Sequence, residues 1–138
     1  MLRTQDELLE KVKWAQSQGL GGFVALVFYM DYEHAKEVID ASAFRGKSMK
    51  ETWKDRPQPY SRETVLKSLR ERAERADQAW GKLKRGAVAR SHVLQRLEGL
   101  AALLWLLGDE ELEEQLLATC RQRTSPRPVL EELRRRHG

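Results

Sequence analysis

The sequence predicts an all-α protein, a single-domain bundle of five to six helices with a central helical hairpin. Apolar residues recur at helical spacing over most of the chain, capping residues precede these stretches, and glycines follow them. No internal repeat is visible, and strands are not indicated. At 138 residues the chain is long enough to hold one hydrophobic core, so we expect a single helical domain over residues 1–138.

Residues 4–43 are expected to form an N-terminal helical hairpin. The first helix begins with a capping box at Thr4 and ends at a glycine-rich break over residues 19–22. The stretch 23–43 contains no proline or glycine and predicts a second helix. Its first half is apolar on all sides, which is typical of a buried segment.

Residues 45–60 are predicted to be the longest loop, because prolines and polar residues interrupt the helical pattern there. Long loops inside compact domains are often binding elements, and a solvated connector is the equal alternative. If the loop binds a partner, we expect Trp53 and Arg56 to make the contact, since aromatic and arginine side chains dominate interfaces.

Residues 61–107 predict the central hairpin, in which a basic helix is followed by an apolar one. Ser61 is the expected N-cap of the first helix and Gly86 its end. The second helix is expected to run from about Val88 to Leu107. A heptad-like stripe on the first helix would face the second and consists of Leu66, Leu69, Ala73, Ala76, Trp80 and Leu83.

Residues 109–138 predict the C-terminal helices. Gly108 ends the apolar helix, and Asp109 is the expected N-cap of the next one. A loop is expected over residues 121–128. Pro128 suits the first turn of a short last helix, whose C-terminal cations favour the helix dipole.

Charge is segregated along the chain. Residues 62–97 carry ten basic and four acidic side chains, residues 98–120 carry six acidic and no basic ones, and residues 121–138 carry six basic and two acidic ones. One interpretation is that the basic and acidic segments pair within the fold and leave a self-complementary surface. The other is that the basic segment recognises a partner.

Recognition by the basic segment would centre on the turn near Gly86. It could engage an acidic protein surface, or a phosphate backbone with strong salt dependence, and the run 134–136 could add to a nucleic-acid contact. Sequence-specific DNA recognition is not indicated, because the helix after Gly86 becomes wholly apolar. Trp80 belongs to the apolar stripe and is expected in the core. The candidate contacts are Lys82, Lys84, Arg85, Arg90, His92 and Arg96.

Catalytic and metal-binding patterns are not indicated, so we predict no enzyme, no cofactor and no bound metal. Asp31, His34 and Glu37 could share a helix face, but a carboxylate site in a bundle would repeat this motif on a second helix. Cys120 occupies an apolar position of its helix and is expected to be a small buried residue.

One catalytic alternative depends on Arg85 and His92. Six residues separate them, a spacing similar to that of the arginine and histidine in HEPN-type helical ribonucleases. The resemblance is limited to these two residues, and Gly86 is expected to break the helix between them. A helical ribonuclease is therefore the least favoured of three functional hypotheses.

No signal peptide or transmembrane segment is expected. The N-terminal segment is charged, and the longest apolar runs are eight residues, far short of the roughly 20 that a membrane span needs. The single cysteine excludes an intramolecular disulfide, so we expect a cytoplasmic protein. Asparagine is absent and Ile39 is the only isoleucine, which is compatible with a GC-rich or thermophilic source.

Several short motifs follow one another along the chain: DYEHAK at 31–36, Pro59 before a Ser-Arg-Glu helix start, AWGKLKRG, ARSHV, WLLGD and the closing RPVLEELRRRHG. In this order they resemble small uncharacterised all-helical proteins of phages and prophages, and the resemblance extends over most of residues 28–138. Val88 stands where the pattern usually has a serine, so an N-cap is missing there.

The resemblance implies a phage accessory role with no assigned activity. Proteins of this class commonly bind a host machine, such as RNA polymerase or a defence nuclease, in the host cytoplasm. Our first hypothesis is therefore a non-enzymatic protein that binds a host protein complex through the basic turn and the loop 45–60. The alternative is a nucleic-acid-binding protein that uses the same basic segment.

Overall fold

The computed structural model describes Arg3, residues 5–27 and residues 61–138. Of these described residues 82% are helical, in six helices and with no strand. The protein is an all-α single-domain bundle, as the sequence predicts. The cap at Thr4, the second half of the predicted second helix and the loop 45–60 lie outside the described residues.

The helices are α1 (Gln5–Ser17), α2 (described over 21–27), α3 (Arg62–Lys84), α4 (Arg90–Leu106), α5 (Glu110–Gln122) and α6 (Arg127–His137). Helix α4 starts two residues later than predicted. Helix α5 runs past Cys120 to Gln122, so the connection to α6 spans 123–126 and is shorter than the predicted loop. Among the described residues, no helix combines the length and the apolar composition needed to cross a membrane.

Two predicted N-caps are confirmed by their hydrogen bonds. The Ser61 hydroxyl accepts a hydrogen bond from the Thr64 amide at 3.2 Å, and an Asp109 carboxylate oxygen accepts one from the Leu112 amide at 3.2 Å. Each bond satisfies an amide that has no partner within its own helix. These caps place the starts of α3 and α5.

Helix α4 is the centre of the bundle. It packs against α3 on one side and α5 on another, and every residue from Gly99 to its C-terminal end is buried. The stripe predicted on α3 is confirmed at Leu69, Ala73 and Ala76. The buried arc is wider than predicted, because α3 also packs against α6: Val65 and Ala79 are fully buried, whereas Leu66, Trp80 and Leu83 are partly buried.

The glycine-rich segment before α2 differs from its predicted role as a break. Gly19 has a φ of +72°, but Gly21 and Gly22 belong to the first turn of α2. A Cβ at position 22 would lie 2.4 Å from the carbonyl oxygen of Gln95, and the Gly22 amide donates to the Glu98 carboxylate at 2.8 Å. Gly22 therefore allows the backbones of α2 and α4 to approach closely.

Helix α1 packs on the bundle through the buried Leu8, Val12 and Ala15, and cations and tryptophans lie around this contact. Lys11 Nζ lies 3.9 Å from the ring centre of Trp14, 5.7 Å from that of Trp105, and 3.0 Å from the carboxylate of Glu113. Burial raises the pKa of Glu113, and Lys11 opposes that rise. The Arg3 Nε donates to the Trp105 carbonyl at 3.2 Å. The N-terminal part of the chain thus supplies positive charge to the acidic start of α5.

Candidate functional site

The turn between α3 and α4 places three of the predicted contacts. Gly86 has a φ of +75°, a backbone conformation that a glycine adopts at little cost. Its amide donates to the Leu83 carbonyl at 3.0 Å, and the Ala87 amide donates to the Lys82 carbonyl at 2.8 Å. This closes the helix as the sequence predicts. Lys82, Lys84 and Arg85 are all exposed at this end.

The side chains around the turn have different neighbours. Lys84 Nζ lies 5.9 Å from the ring centre of Trp80, within reach of a cation–π contact. The Arg85 guanidinium folds back beside Gly81, where the guanidinium of Arg127 also lies. Arg127 in turn pairs with Asp77 at 3.2 Å. Arg85 is therefore on the side of α3 that meets α6.

The basic residues of α4 lie on two opposite sides of the helix. Arg90 faces the end of α5, and its Nη2 donates to the Arg123 carbonyl at 3.3 Å. His92 and Arg96 instead line a cleft of about 430 Å³ between α2, α3 and α4, where the Arg96 Nε donates to the His92 Nε2 at 3.0 Å. Arg72 of α3 lines the same cleft.

The helical rotation of about 100° per residue explains this separation, because positions two apart point in nearly opposite directions. The predicted set of six therefore forms two groups. We call Lys82, Lys84, Arg85 and Arg90 the turn surface, and we call the space lined by Arg72, His92 and Arg96 the cleft. The sequence already contained the signal for this division in the spacing of Arg90 and His92.

The acidic segment that follows Gly108 does not pair with the turn surface. The carboxylates of Glu110 to Glu114 and of Asp109 bind cations from α5 itself and from the two ends of the chain. The pairs are Glu110 with Arg3, Glu111 with Arg136 at 3.1 Å, Glu113 with Lys11 at 3.0 Å, Glu114 with Arg121 at 3.0 Å, and Asp109 with Arg136 at 3.3 Å and His137 at 2.8 Å.

The turn surface consequently keeps its positive charge. Within the ranges that the structure describes, none of Lys82, Lys84, Arg85 and Arg90 lies within 4.0 Å of a carboxylate oxygen, and neither does Arg96 in the cleft. Of the two interpretations of the charge pattern, pairing of this basic segment with residues 98–120 is therefore wrong at these positions.

The C-terminal basic run serves the fold. Arg134 pairs with Glu74 at 3.3 Å and with Asp77 at 3.5 Å, and Arg136 bridges Glu132 to the start of α5. Hydrogen bonds from Arg135 and Arg136 lower the pKa of Glu132 to about 2. These three guanidiniums already have carboxylate partners, and a contribution of the run 134–136 to a nucleic-acid contact stays a prediction.

The surroundings of Cys120 determine how reactive its thiol is. Burial raises the pKa of the Cys120 thiol to about 11, and the nearby Glu98 carboxylate adds to this rise. The thiol is therefore protonated at neutral pH, which makes it a poor nucleophile. No group of three or more potential metal ligands is present among the described residues.

The arginine and histidine of the ribonuclease hypothesis have different neighbours in the structure. Arg85 lies beside Gly81 on the α6 side of the bundle, and His92 lines the cleft beside α2. Trp53 and Arg56, the predicted contacts of the loop, lie outside the described residues, as does the group Asp31, His34 and Glu37.

Two residues near the candidate site were not singled out from the sequence. Arg72 lies on α3, within a run of charged residues in which no pattern distinguishes it. Arg123 was assigned to a loop, but it is the C-cap of α5 and has a left-handed backbone with a φ of +58°. The sequence does not mark Gln122 as the last residue of α5, so Arg123 could not be recognised as its C-cap.

The chain has no match among protein-family models, curated proteins or solved structures.

Proposed function

We propose that this protein is a non-enzymatic binding protein whose turn surface contacts an acidic surface of a partner protein. The observation that carries the proposal is the distribution of ion pairs. The glutamates that follow Gly108 bind Arg3, Lys11, Arg121 and Arg136, and the cations of the turn surface have no carboxylate partner among the described residues.

Exposure of these cations supports the same function. Lys82, Lys84 and Arg85 are exposed and lie at one end of the bundle, on a turn that two backbone hydrogen bonds hold in place. A fixed cluster of like charges attracts an oppositely charged partner and raises the association rate, an effect that salt screens. The resemblance to phage proteins suggests that the partner is a host protein assembly.

The test compares two variants with the same change in net charge. Lys82→Ala/Lys84→Ala removes two cations from the turn surface, and Lys13→Ala/Arg121→Ala removes two exposed cations that pair with Glu10 and Glu114. Captures from host lysate with the wild type and both variants should show a protein that is lost with the first variant and kept with the second.

The proposal is wrong if no protein is retained by the wild type at moderate salt, or if both variants lose the partner equally. Trp53→Ala is a further test of the part that comes from the sequence alone. We expect it to weaken binding of the same partner if the loop 45–60 contributes to the interface, as Arg56→Ala should to a lesser extent.

A nucleic-acid-binding function is the second candidate, and the start of α4 favours it. Its N-cap is Ala89, which makes no side-chain capping bond, and Arg90 follows directly. The first amides of a helix bind phosphate oxygens well when no side chain occupies them. A phosphate of a nucleic-acid backbone could therefore bind here beside the turn surface.

Salt titration of a labelled duplex distinguishes the two candidates. For a nucleic-acid binder, the logarithm of the affinity falls linearly with the logarithm of the salt concentration, by about 0.9 per phosphate neutralised. Lys82→Ala/Lys84→Ala should then reduce the slope by about 2, whereas Lys13→Ala/Arg121→Ala should leave it unchanged. Absence of duplex binding at low salt would remove this candidate and leave the first one standing.

A further inference from the structure

The cleft between α2, α3 and α4 takes no part in the proposed contact of the turn surface, and it has the size of a ligand site. On α4 its lining residues are His92, Gln95, Arg96 and Gly99, whose spacing of three and four places them on one face of the helix. Arg72 of α3 lines another side. The volume of about 430 Å³ lies within the range of small-molecule sites, about 300–1,000 Å³. The cleft is therefore large enough for a small organic molecule.

Polar and apolar lining residues differ in their exposure. Gly22, Leu26 and Gly99 are buried and carry no polar side-chain atom. His92 is exposed and Arg96 is half-buried, and both bring nitrogen atoms to the lining. A ligand with one apolar part and one polar part would match this arrangement, since its apolar part would be covered and its polar part would meet the nitrogen-bearing side chains.

The charge of the lining is positive. Arg72 and Arg96 bring one guanidinium from each of two helices, and none of the described residues that line the cleft is acidic. Arg96 has no carboxylate partner among the described residues. The carboxylate of Glu98, on the same helix, accepts the Gly22 amide at 2.8 Å, and Glu98 is not a lining residue. The polar part of a matching ligand is therefore an anion.

Both guanidiniums are oriented by hydrogen bonds from their Nε atoms. Arg72 Nε donates to the Ser68 hydroxyl at 3.2 Å, and Arg96 Nε donates to His92 Nε2 at 3.0 Å. Each of these bonds uses only one of the five N–H donors of its guanidinium. The bonds also restrict the two side chains before any ligand binds, which reduces the entropy lost on binding.

We propose that the cleft binds a small phosphate monoester, with its phosphate at Arg72 and Arg96 and its organic part against Gly22, Leu26 and Gly99. Guanidiniums bind phosphate oxygens through paired N–H groups, which gives both energy and orientation. A monoester carries a charge of about −1.5 to −2 at neutral pH, which two guanidiniums balance. Inorganic phosphate alone would leave the apolar part of the cleft uncovered.

This site is independent of the proposed partner binding. Lys82, Lys84 and Arg85 of the turn surface do not line the cleft. A variant that loses the partner protein should therefore keep the phosphate monoester, and a variant of the cleft should keep the partner protein. The failure of one proposal can thus be distinguished from the failure of the other.

Phenyl phosphate is a suitable probe, because it joins a phosphate monoester to a compact apolar ring. Inorganic phosphate carries only the charged part, and phenol carries only the apolar part. Isothermal titration calorimetry of the full chain should show saturable binding of one phenyl phosphate per chain, weaker binding of inorganic phosphate and no binding of phenol. In a nuclear magnetic resonance titration, the amide shifts should change at Gly22 and over residues 92–96 and not over residues 82–85.

Arg96→Gln should weaken the binding of phenyl phosphate about tenfold or more, as expected for lost hydrogen bonds to a charged group. Arg121→Gln is the matched control, because it makes the same change in charge at an exposed residue that does not line the cleft. Ala25→Phe keeps the charge and places a large side chain at an exposed lining position, so it should also weaken binding. Lys82→Ala/Lys84→Ala should leave the affinity for phenyl phosphate unchanged.

The proposal fails if the wild type shows no saturable binding of phenyl phosphate at millimolar concentrations, or if inorganic phosphate binds as tightly. It also fails if Arg96→Gln and Arg121→Gln have equal affinities, or if Ala25→Phe binds like the wild type, since attraction by charge alone would then explain the binding. Should Arg96→Gln not fold, the shift changes in the wild type and the titration of Ala25→Phe still decide the question.

Discussion

At the scale of single residues, the closeness of two backbones depends on one missing Cβ. Gly22 and Gly21 are adjacent in the first turn of α2, yet they differ in surroundings: a Cβ at position 22 would collide with the backbone of Gln95, and one at position 21 would meet nothing within 4 Å. The sequence shows only two consecutive glycines. Their roles differ because position 22 lies on the side of α2 that faces α4, whereas position 21 does not.

Gly22→Ala is expected to destabilise the protein, whereas Gly21→Ala is not. The atoms in the way are the Gln95 carbonyl oxygen at 2.4 Å and its Cα at 2.8 Å, which cannot move without shifting α4. Overpacking of this kind costs about 1–3 kcal/mol, and exchange of glycine for alanine otherwise favours a helix by up to about 1 kcal/mol. Urea denaturation measures both free energies of unfolding. Equal values would contradict close packing of α2 on α4.

Arg123→Gly is expected to stabilise the protein. Arg123 ends α5 with a φ of +58°, and a side chain in this left-handed conformation costs about 1 kcal/mol relative to glycine. Its carbonyl, which accepts from Arg90, is unchanged by the substitution. Arg121→Gly is the control, since Arg121 is also exposed but helical, and this variant should lose about 1 kcal/mol. Loss of stability in both variants would show that the left-handed conformation carries no cost here.

At the scale of helices, side chains of one element complete the end of another. Asp109 caps α5 and also binds Arg136 and His137 of α6. Burial acts to raise the pKa of Asp109, but these hydrogen bonds and the charge of Arg136 outweigh it, so the pKa is lowered. Glu98 of α4 acts in a comparable way at the start of α2, where its carboxylate accepts a hydrogen bond from the Gly22 amide.

Glu98 is expected to make the stability of the α2–α4 contact depend on pH. Burial raises the pKa of Glu98, and the hydrogen bond from Gly22 offsets this only in part. Since the folded state binds the proton more tightly than the unfolded state, stability falls as pH rises through the interval between the two pKa values. Glu98→Gln keeps an acceptor oxygen and removes the titration.

The difference in the free energy of unfolding between Glu98→Gln and the wild type should therefore shift in favour of the variant as pH rises from about 4 to about 7. Urea denaturation at a series of pH values measures it. Glu114→Gln, which changes an exposed carboxylate paired with Arg121, serves as the control. A difference for Glu98→Gln that stays constant with pH would contradict the raised pKa.

At the scale of the whole molecule, the fold class could be predicted because its signals are local. Apolar spacing, the caps at Ser61 and Asp109 and the closing Gly86 each act within one or two turns, and the structure confirms all of them. The start of α4 lies two residues after the predicted one. Ala89 provides no capping side chain, so the sequence carries no marker for the first turn.

The distribution of charge could not be predicted in the same way. Neighbouring basic and acidic segments suggest mutual pairing, but the partners of the acidic segment include Arg3, Lys11 and Arg136, which lie far away along the chain. Which cation meets which carboxylate depends on how α1 and α6 pack on α5. The turn surface keeps its charge as a consequence of that packing, and no local pattern could show it.

Leu133→Ala is expected to destabilise the entire bundle and not α6 alone. Leu133 is 1% exposed, and the neighbouring Arg134 and Arg136 join α6 to Glu74 of α3 and Asp109 of α5. Truncation of a fully buried leucine costs about 2–5 kcal/mol. Since α6 is attached to two other helices, we expect the loss to appear in one cooperative transition.

The measurement is urea unfolding followed by far-ultraviolet circular dichroism, which reports on all helices, and by tryptophan fluorescence, which reports on residues outside α6. Both midpoints should fall together in Leu133→Ala. Arg135→Ala is the control, because Arg135 is 71% exposed and its one carboxylate partner among the described residues is Glu132 of the same helix, so its midpoint should match the wild type. An early loss of helical signal with unchanged fluorescence would instead show that α6 unfolds as a separate unit and that its ion pairs do not couple α3 to α5.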